Sequence, residues 1–392
     1  MSSWKECKLG EVAEIIGGGT PSTSNNEFWN GNIPWLTPRD LTGYSKVYIS
    51  HGERFITESG LKNSSAKLMP KGTVLLTSRA PIGYVVIAEN EICTNQGFKS
   101  LVPNFEILNS EFLYYWLKSN TDYLQQLGTG TTFAEISGSV VKNIDISLPP
   151  LEEQKAIAEV LSSLDDKIDL LHRQNQTLES LAQTLFRQWF IEEAKEEWEE
   201  VLITDLFEVR DGTHDSPKQK EFGKKLLTSK HILKNKLDFE SSYFISEEDF
   251  EKINQRSVVE QGDILFSMIG TIGLTYLEQS NEIDYAIKNI GLFKTSQNKK
   301  FMYFVYLWLN SSFGVEFIHE NRSGSTQEYI SLGSLRNIIF NLPNYKIIDL
   351  FNEKMEPIFE KINTNMKQIK SLENLRDTLL PKLLSGEVRV EI

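Results

Sequence analysis

From Ile157 onward the apolar side chains fall in alternating steps of four and three: Leu161, Leu164, Ile168, Leu171, Asn175, Leu178, Ala182, Leu185 and Trp189. That spacing lays a single narrow stripe along a helix, the seam of a coiled coil. A second stripe with the same spacing runs through Phe351, Met355, Ile358, Ile362, Asn365, Ile369, Leu372, Arg376, Leu379 and Leu383. The first helix is predicted to start after Leu148-Pro149-Pro150, with Glu152 and Glu153 complementing the dipole in its first turn. The second is predicted to close at Ser385-Gly386, a C-terminal cap. Pro357 should make the second helix start late or kink, because an interior proline removes a backbone hydrogen bond and crowds the preceding turn. Asn175, Asn365 and Arg376 interrupt the stripes, either to set register or because the stripes are partly exposed there.

The regions before each helix follow a different pattern, strand, tight turn, strand, and they repeat. Trp4-Lys5-Glu6 answers to Trp198-Glu199-Glu200, Leu36-Thr37-Pro38-Arg39 to Leu227-Thr228-Ser229-Lys230, and Lys71-Gly72-Thr73-Val74 to Gln261-Gly262-Asp263-Ile264. Pro81-Ile82-Gly83 meets Thr271-Ile272-Gly273, and the aromatic stretch Leu113–Leu117 meets Val305–Leu309. Ile136-Ser137, Asn143-Ile144 and Leu148-Pro149 recur as Ile330-Ser331, Asn337-Ile338 and Leu342-Pro343, an offset of about 194 residues. So long a period makes each repeat a whole domain with its helix rather than a solenoid unit. The expected fold class is α+β: two globular α/β domains in tandem pseudo-twofold duplication, separated by two long helices forming an antiparallel coiled coil. The expected boundaries are 1–150 and 198–344 for the globular domains, with 151–197 and 345–392 for the helices. A rod of such helices, at about 1.5 Å per residue, reaches roughly 50 to 65 Å and would hold one domain at each end.

Composition narrows the chemistry. The chain has 392 residues, enough for a proper core without metal or disulfide staples. Its two cysteines, Cys7 and Cys93, exclude a disulfide framework and cannot build a zinc or iron–sulfur site unaided, which fits a reducing cytoplasm. The N-terminal residues carry no apolar signal core, and no run approaches the roughly 18 apolar residues of a membrane span, so neither secretion nor membrane insertion is expected. Phosphate loops, nucleophile elbows, His-Glu-x-x-His and Cys-x-x-Cys are all missing, and His51, His172, His214, His231 and His319 lack metal-ligand spacing. Asp349 with Glu353-Lys354 has the residue types of a nuclease site but lies along the second helix, where a solvated face explains it.

The net charge of −13 argues at first against a nucleic-acid partner. Its distribution changes that picture. Residues 151–200 hold 13 acidic side chains against five basic ones, whereas residues 218–236 hold seven lysines against the single acid Glu221. That lysine-rich stretch fits phosphate contact and also fits plain soluble surface. The candidate contact residues of the first repeat are Thr20, Ser22, Thr37, Arg39, Arg79, Thr131 and Thr132. Those of the second are Thr213, His214, Lys218, Lys220, Lys224, Lys225, Lys230, His231, Ser325 and Thr326. Short hydroxyls supply donors and acceptors for base edges, and cations suit phosphates.

Several segments resemble a known family. Leu148-Pro149-Pro150-Leu151-Glu152-Glu153-Gln154-Lys155-Ala156-Ile157-Ala158, Leu164-Asp165-Asp166-Lys167-Ile168-Asp169 and Leu379-Leu380-Pro381-Lys382-Leu383-Leu384-Ser385-Gly386-Glu387-Val388 are similar to the specificity subunit of type I restriction–modification systems. The turn Gly18-Gly19-Thr20-Pro21-Ser22 with Ile33-Pro34-Trp35-Leu36-Thr37-Pro38-Arg39-Asp40-Leu41 resembles the opening of that family's target-recognition domains. The second repeat departs from the pattern at Leu342-Pro343-Asn344-Tyr345 and at Asp211-Gly212-Thr213-His214. The resemblance covers essentially the whole chain. It implies a non-catalytic subunit that reads double-stranded DNA, each globular domain taking one half of a bipartite asymmetric sequence and the paired helices fixing the gap. It further implies two methyltransferase subunits that carry S-adenosylmethionine and modify adenine, and restriction subunits that use ATP and Mg, with no cofactor on this chain. A coiled-coil scaffold for proteins alone, and an unrecognised nuclease, are the other readings.

Overall fold

Val74-Leu75-Leu76-Thr77-Ser78 is buried at every position, as in a strand covered on both faces. In the computed structural model, which describes residues 4–79, 81–129, 134–195, 197–324 and 327–390, this strand is the middle of a five-stranded sheet. The sheet order is Ala13–Gly17, Phe98–Pro103, Val74–Ser78, Ile82–Ala88 and Tyr48–Ile49, antiparallel except for the last pair. A smaller sheet places β1 (Trp29–Leu36) between β2 (Arg54–Ile56), antiparallel, and β3 (Cys93–Thr94), parallel. The chain divides into two units, Met1–Leu170 with Ile369–Ile392, and Leu171–Gln368, and these sheets belong to the first.

The second unit repeats the small sheet. Its β4 (Lys224–Thr228) lies between β5 (Tyr243–Ile245), antiparallel, and β6 (Tyr285–Lys288), parallel. A four-stranded sheet of Val209–Asp211, Ile290–Phe293, Ile264–Ser267 and Thr275–Leu277 stands for the larger one. Equivalence extends to single hydrogen bonds: the Leu9 amide donates to the Ile144 carbonyl, and the Ile203 amide to the Ile338 carbonyl, both at 2.9 Å. Gly72 and Gly262, and Gly83 and Gly273, all hold positive φ at matching turns, a conformation glycine adopts without penalty. The tandem duplication expected from the sequence is present.

Two helices, α1 (Leu151–Arg187) and α2 (Tyr345–Ser385), each contribute to both units. In the first unit, Glu153 accepts from Arg389 just beyond α2, and Asp165 accepts from Arg376, so residue numbers rise along α1 as they fall along α2. In the second unit, Asn365 donates to Asn175 and Phe186 meets Phe351, again antiparallel. Asp165 takes two charge-assisted bonds, from the Arg376 guanidinium and the Tyr115 hydroxyl, both 2.8 Å. Burial beside this carboxylate pushes the Tyr115 phenol up.

The seam differs from the expected stripe in places. Leu161, Ile168, Leu171, Ile358 and Ile369 are buried, whereas Leu164, Leu178, Leu185, Ile362, Leu372 and Leu379 are half-buried. Phe186, one residue off the strict spacing, is the large buried side chain near the end of α1. A straight helix at 3.6 residues per turn drifts from a 3.5 repeat, which accounts for the shift. Pro357 neither starts nor ends a helix: α2 runs through it. Its ring sits on the exposed face, where water can take the carbonyl that loses its intrahelical partner.

Thr37 and Thr228 start matching 3₁₀ turns, each with a reciprocal cap from the residue three positions on. In the first unit the partner is Asp40, which accepts from the Thr37 amide and hydroxyl at 2.7 Å. In the second it is His231, whose Nδ1 accepts from the Thr228 amide at 2.8 Å. His231 is fully buried. The expectation that it contacts DNA is therefore corrected: the capping task turns the ring inward. Desolvation, helped by Lys230, holds its pKa below the ordinary value.

Replacing Asn365 by Leu should strand the Asn175 amide in the seam and cost roughly 1–3 kcal/mol, whereas the Asn175→Leu/Asn365→Leu pair should be neutral or stabilising, measured by urea unfolding. A histidine with a depressed folded pKa leaves stability intact above its unfolded value of about 6.5 and loses it as the pH falls below that. The urea midpoint should accordingly drop between pH 7.5 and 5.5 more steeply in the natural chain than in His231→Asn, which keeps an acceptor but does not titrate; parallel profiles would refute this role for His231.

Candidate nucleic-acid interface

In the first repeat, tight backbone contact shapes the glycine turn. A Cβ on Gly18 would collide with the Thr94 and Asn95 carbonyls, and one on Gly19 with the Ser65–Ala66 backbone. Two indoles strap the turn to β1: Trp35 donates to the Gly19 carbonyl at 2.8 Å and Trp29 to the Ser22 carbonyl at 3.0 Å. Thr20 donates to Gln96 at 2.6 Å, and the Ser22 and Ser24 hydroxyls are 2.9 Å apart. Arg39 is exposed, and Arg79 lies 3.7 Å from Glu135, which also binds Lys99 at 3.0 Å. The hydroxyl of Thr37, a candidate contact residue, donates to Asp40.

The lysine-rich stretch of the second repeat separates into two sets. Lys218, Lys220 and Lys230 are exposed. Lys224 instead pairs with Asp284, and Lys225 donates to the Ser242 carbonyl at 3.2 Å with its ammonium 3.9 Å from the Phe244 ring centre. These two belong to β4, so their half-buried stems run along the sheet and their charges are matched locally. Of the five candidate contact lysines, Lys224 and Lys225 are thus engaged within the protein.

Lys218 and Lys220 join Thr213 on a cleft of about 670 Å³ that also takes in Ser216, Lys252 and Arg256. Three carboxylates, Asp215, Glu248 and Asp249, share the lining. Asp211, nearly buried, anchors one side by accepting from Arg256 and from His214 Nε2, the latter at 2.9 Å. His214 Nδ1 is 2.8 Å from Asn289, and Lys288 donates to Ser216 at 2.5 Å. Sequence reading missed Lys252, Arg256 and Lys288. The first two stand four apart on the helix Glu247–Ser257, a spacing that puts them on one face, but nothing local marks which way that face turns. Arg54, one of the basic residues spread through the first repeat, is exposed, with its guanidinium 3.5 Å from the Trp29 ring centre. Thr131, Thr132, Ser325 and Thr326 lie outside the described residues.

Among the described residues no group of three or more His, Cys, Asp or Glu is placed to hold a metal ion, and no helix is long and apolar enough to cross a membrane. Both cysteines are buried thiols; burial pushes Cys7 up and Cys93 up to about 12, which disfavours the reactive thiolate.

Comparison with known proteins agrees with this duplicated layout. The type I restriction modification DNA specificity domain matches twice, over residues 1–180 and 195–374. The specificity subunit of the MjaIX type I restriction enzyme of Methanocaldococcus jannaschii is 36% identical, across 99% of this chain and 94% of the relative. The corresponding subunit of the HindI enzyme of Haemophilus influenzae is 24% identical over 99% of this chain and the whole of the relative. The crystal structure of a type I restriction-modification S subunit from M. genitalium superposes with a TM-score of 0.57 at 16% identity, covering 99% and 96% of the two chains. With both repeats matched to the same domain, the chain belongs to the family of type I restriction–modification DNA specificity subunits.

Proposed function

We propose that this chain reads a bipartite, asymmetric double-stranded DNA sequence, one half-site per repeat, and directs adenine methylation and restriction by partner subunits. The observation that carries the reading is the repetition of one strand frame with different exposed side chains on it, which is what two related readers of two different half-sites require. The chain itself is non-catalytic and acts in the cytoplasm. S-adenosylmethionine, ATP and Mg belong to two methyltransferase subunits and to the restriction subunits that bind it.

Phosphate contacts position such a reader and base contacts specify the sequence. Lys218 and Lys220, exposed beside the cleft of the second repeat, suit the first task, as does Arg54 in the first repeat. The paired helices set the spacer. Seven residues, two helical turns, amount to about 10 Å, close to three base-pair steps at about 3.4 Å each.

Binding to target DNA in the assembled methyltransferase complex should weaken steeply with salt. The Lys218→Gln/Lys220→Gln variant should lower the slope of log affinity against log salt by about two. A flat dependence for the natural complex would favour the protein-scaffold reading. Inserting one heptad at matched levels of both helices, beside Leu171 and beside Ile369, should lengthen the methylated site's spacer by about three base pairs and leave both half-sites unchanged; an unaltered spacer rules out the ruler.

A further inference from the structure

The two small sheets share an interruption whose equivalence only the register reveals. On β1, Trp29 and Ile33 both stand opposite Ile56, so Asn30-Gly31-Asn32 leaves the ladder as a three-residue excursion. In the second unit Lys220 bridges Phe244 and Lys224 stands opposite Ile245, leaving Glu221-Phe222-Gly223 outside the ladder in the same place. The frames around the excursions correspond closely. Ile56 and Ile245 are both fully buried, Thr57 and Ser246 both cap the helix that follows, and the same capped 3₁₀ turn closes β1 and β4.

Each excursion has one position that only glycine can hold. A Cβ on Gly31 would strike the Ile56 carbonyl, and one on Gly223 would strike the Ile245 carbonyl, so both loops lie flat against the partner strand and their other residues point away. Asn30 carries φ +61°, a left-handed conformation that asparagine tolerates better than most residues. Asn30, Asn32, Glu221 and Phe222 are exposed, Phe222 at 82%. A single exposed aromatic is ordinary. An exposed excursion at the same register in both repeats, with the frame kept and the side chains changed, is not.

The residue types divide as base readers do. Asparagine amides suit the paired donor and acceptor of adenine, a glutamate accepts from the cytosine amino group, and a phenylalanine packs on a thymine methyl or wedges between base steps. A cation sits at the root of each excursion: Arg54 over Trp29 in the first unit, and Lys220 itself in the second. Phosphate contact at the root would hold the tip at the base edges.

We propose that these strand excursions are the base-reading elements of the two repeats, with Asn30 and Asn32 specifying bases of one half-site and Glu221 and Phe222 those of the other. This rests on the function proposed above and adds to it which side chains carry the specificity. The test uses the full chain with its methyltransferase subunits in cells, with methylated adenines mapped across the genome. Asn30→Ala/Asn32→Ala should relax discrimination at one or two bases of one half-site by roughly 5- to 150-fold, the range of a good bidentate contact, and leave the other half-site intact. Phe222→Ala and Glu221→Gln should do the reverse. All four positions are exposed, and matching urea unfolding profiles check that each variant is folded. If the natural complex methylates no divided sequence, the proposed function fails and takes this assignment with it. If it does, and the folded variants leave both half-sites unchanged, the assignment alone is overturned.

Discussion

Each unit completes its core with a helix that the other repeat supplies. Leu383 and Leu384, near the end of α2, share the first unit's core with Ile157 and Leu161 of α1 and with strand residues of the first repeat such as Val74, Leu76 and Leu101. Phe186 and Phe190, from the end of the first repeat, pack in the second unit's core with Phe304, Phe351 and Met355. Buried apolar surface on this scale is the dominant favourable contribution to folding. Neither globular part can therefore bury its full core from its own repeat, and the two halves of the chain are bound into one folding problem. The type of connection matters more than its length, since closure entropy grows only slowly with the roughly 150 residues between the helices.

Most of this was legible in the sequence because duplication and helical periodicity are long-range patterns that survive local divergence. The offset of about 194 residues held down to Leu9–Ile144 and Ile203–Ile338 backbone pairs. What sequence could not give was the direction of single side chains. Lys224 and Lys218 look alike in a lysine-rich stretch, yet Lys224 lies on β4 and is matched by Asp284, whereas Lys218 lies before the strand and is exposed. His231 reads as a polar loop residue until its counterpart Asp40 shows that the position caps a turn. Pro357 reads as a helix boundary until its face is known. The excursions at Asn30–Asn32 and Glu221–Gly223 were invisible for the same reason. They share no sequence, and only the cross-strand partners Ile56 and Ile245 align them.

The acidity of the chain also has a local explanation. Seven of the 13 acidic residues of 151–200 lie on α1, whose narrow apolar stripe leaves a wide face for polar side chains. With five basic side chains against 13 acidic ones, residues 151–200 hold −8 of the net −13, apart in sequence from Lys218, Lys220 and Arg54. Net charge governs solubility and long-range attraction, while the sign at a site is set within about a Debye length, roughly 8 to 10 Å at physiological salt.

The two helices have diverged in a way that favours their mixed pairing. At the repeat offset, Asn365 corresponds to Leu171 and Asn175 to Ile369, while Arg376 corresponds to Ala182 and Asp165 to Phe359. Each of these polar residues therefore has an apolar counterpart in the other repeat and finds its polar complement on the other helix: Asn175 with Asn365 in one unit, Asp165 with Arg376 in the other. A helix paired with a second copy of itself about the same symmetry would set Asn175 against Leu171, and would leave Asp165 without its guanidinium. A buried amide facing leucine costs about 1–3 kcal/mol, and a carboxylate stripped of its cation in a half-buried seam costs more. Polar pairs that contribute little net stability thus act chiefly by making the alternative pairing unfavourable, which is how a duplicated gene product keeps its two halves distinct.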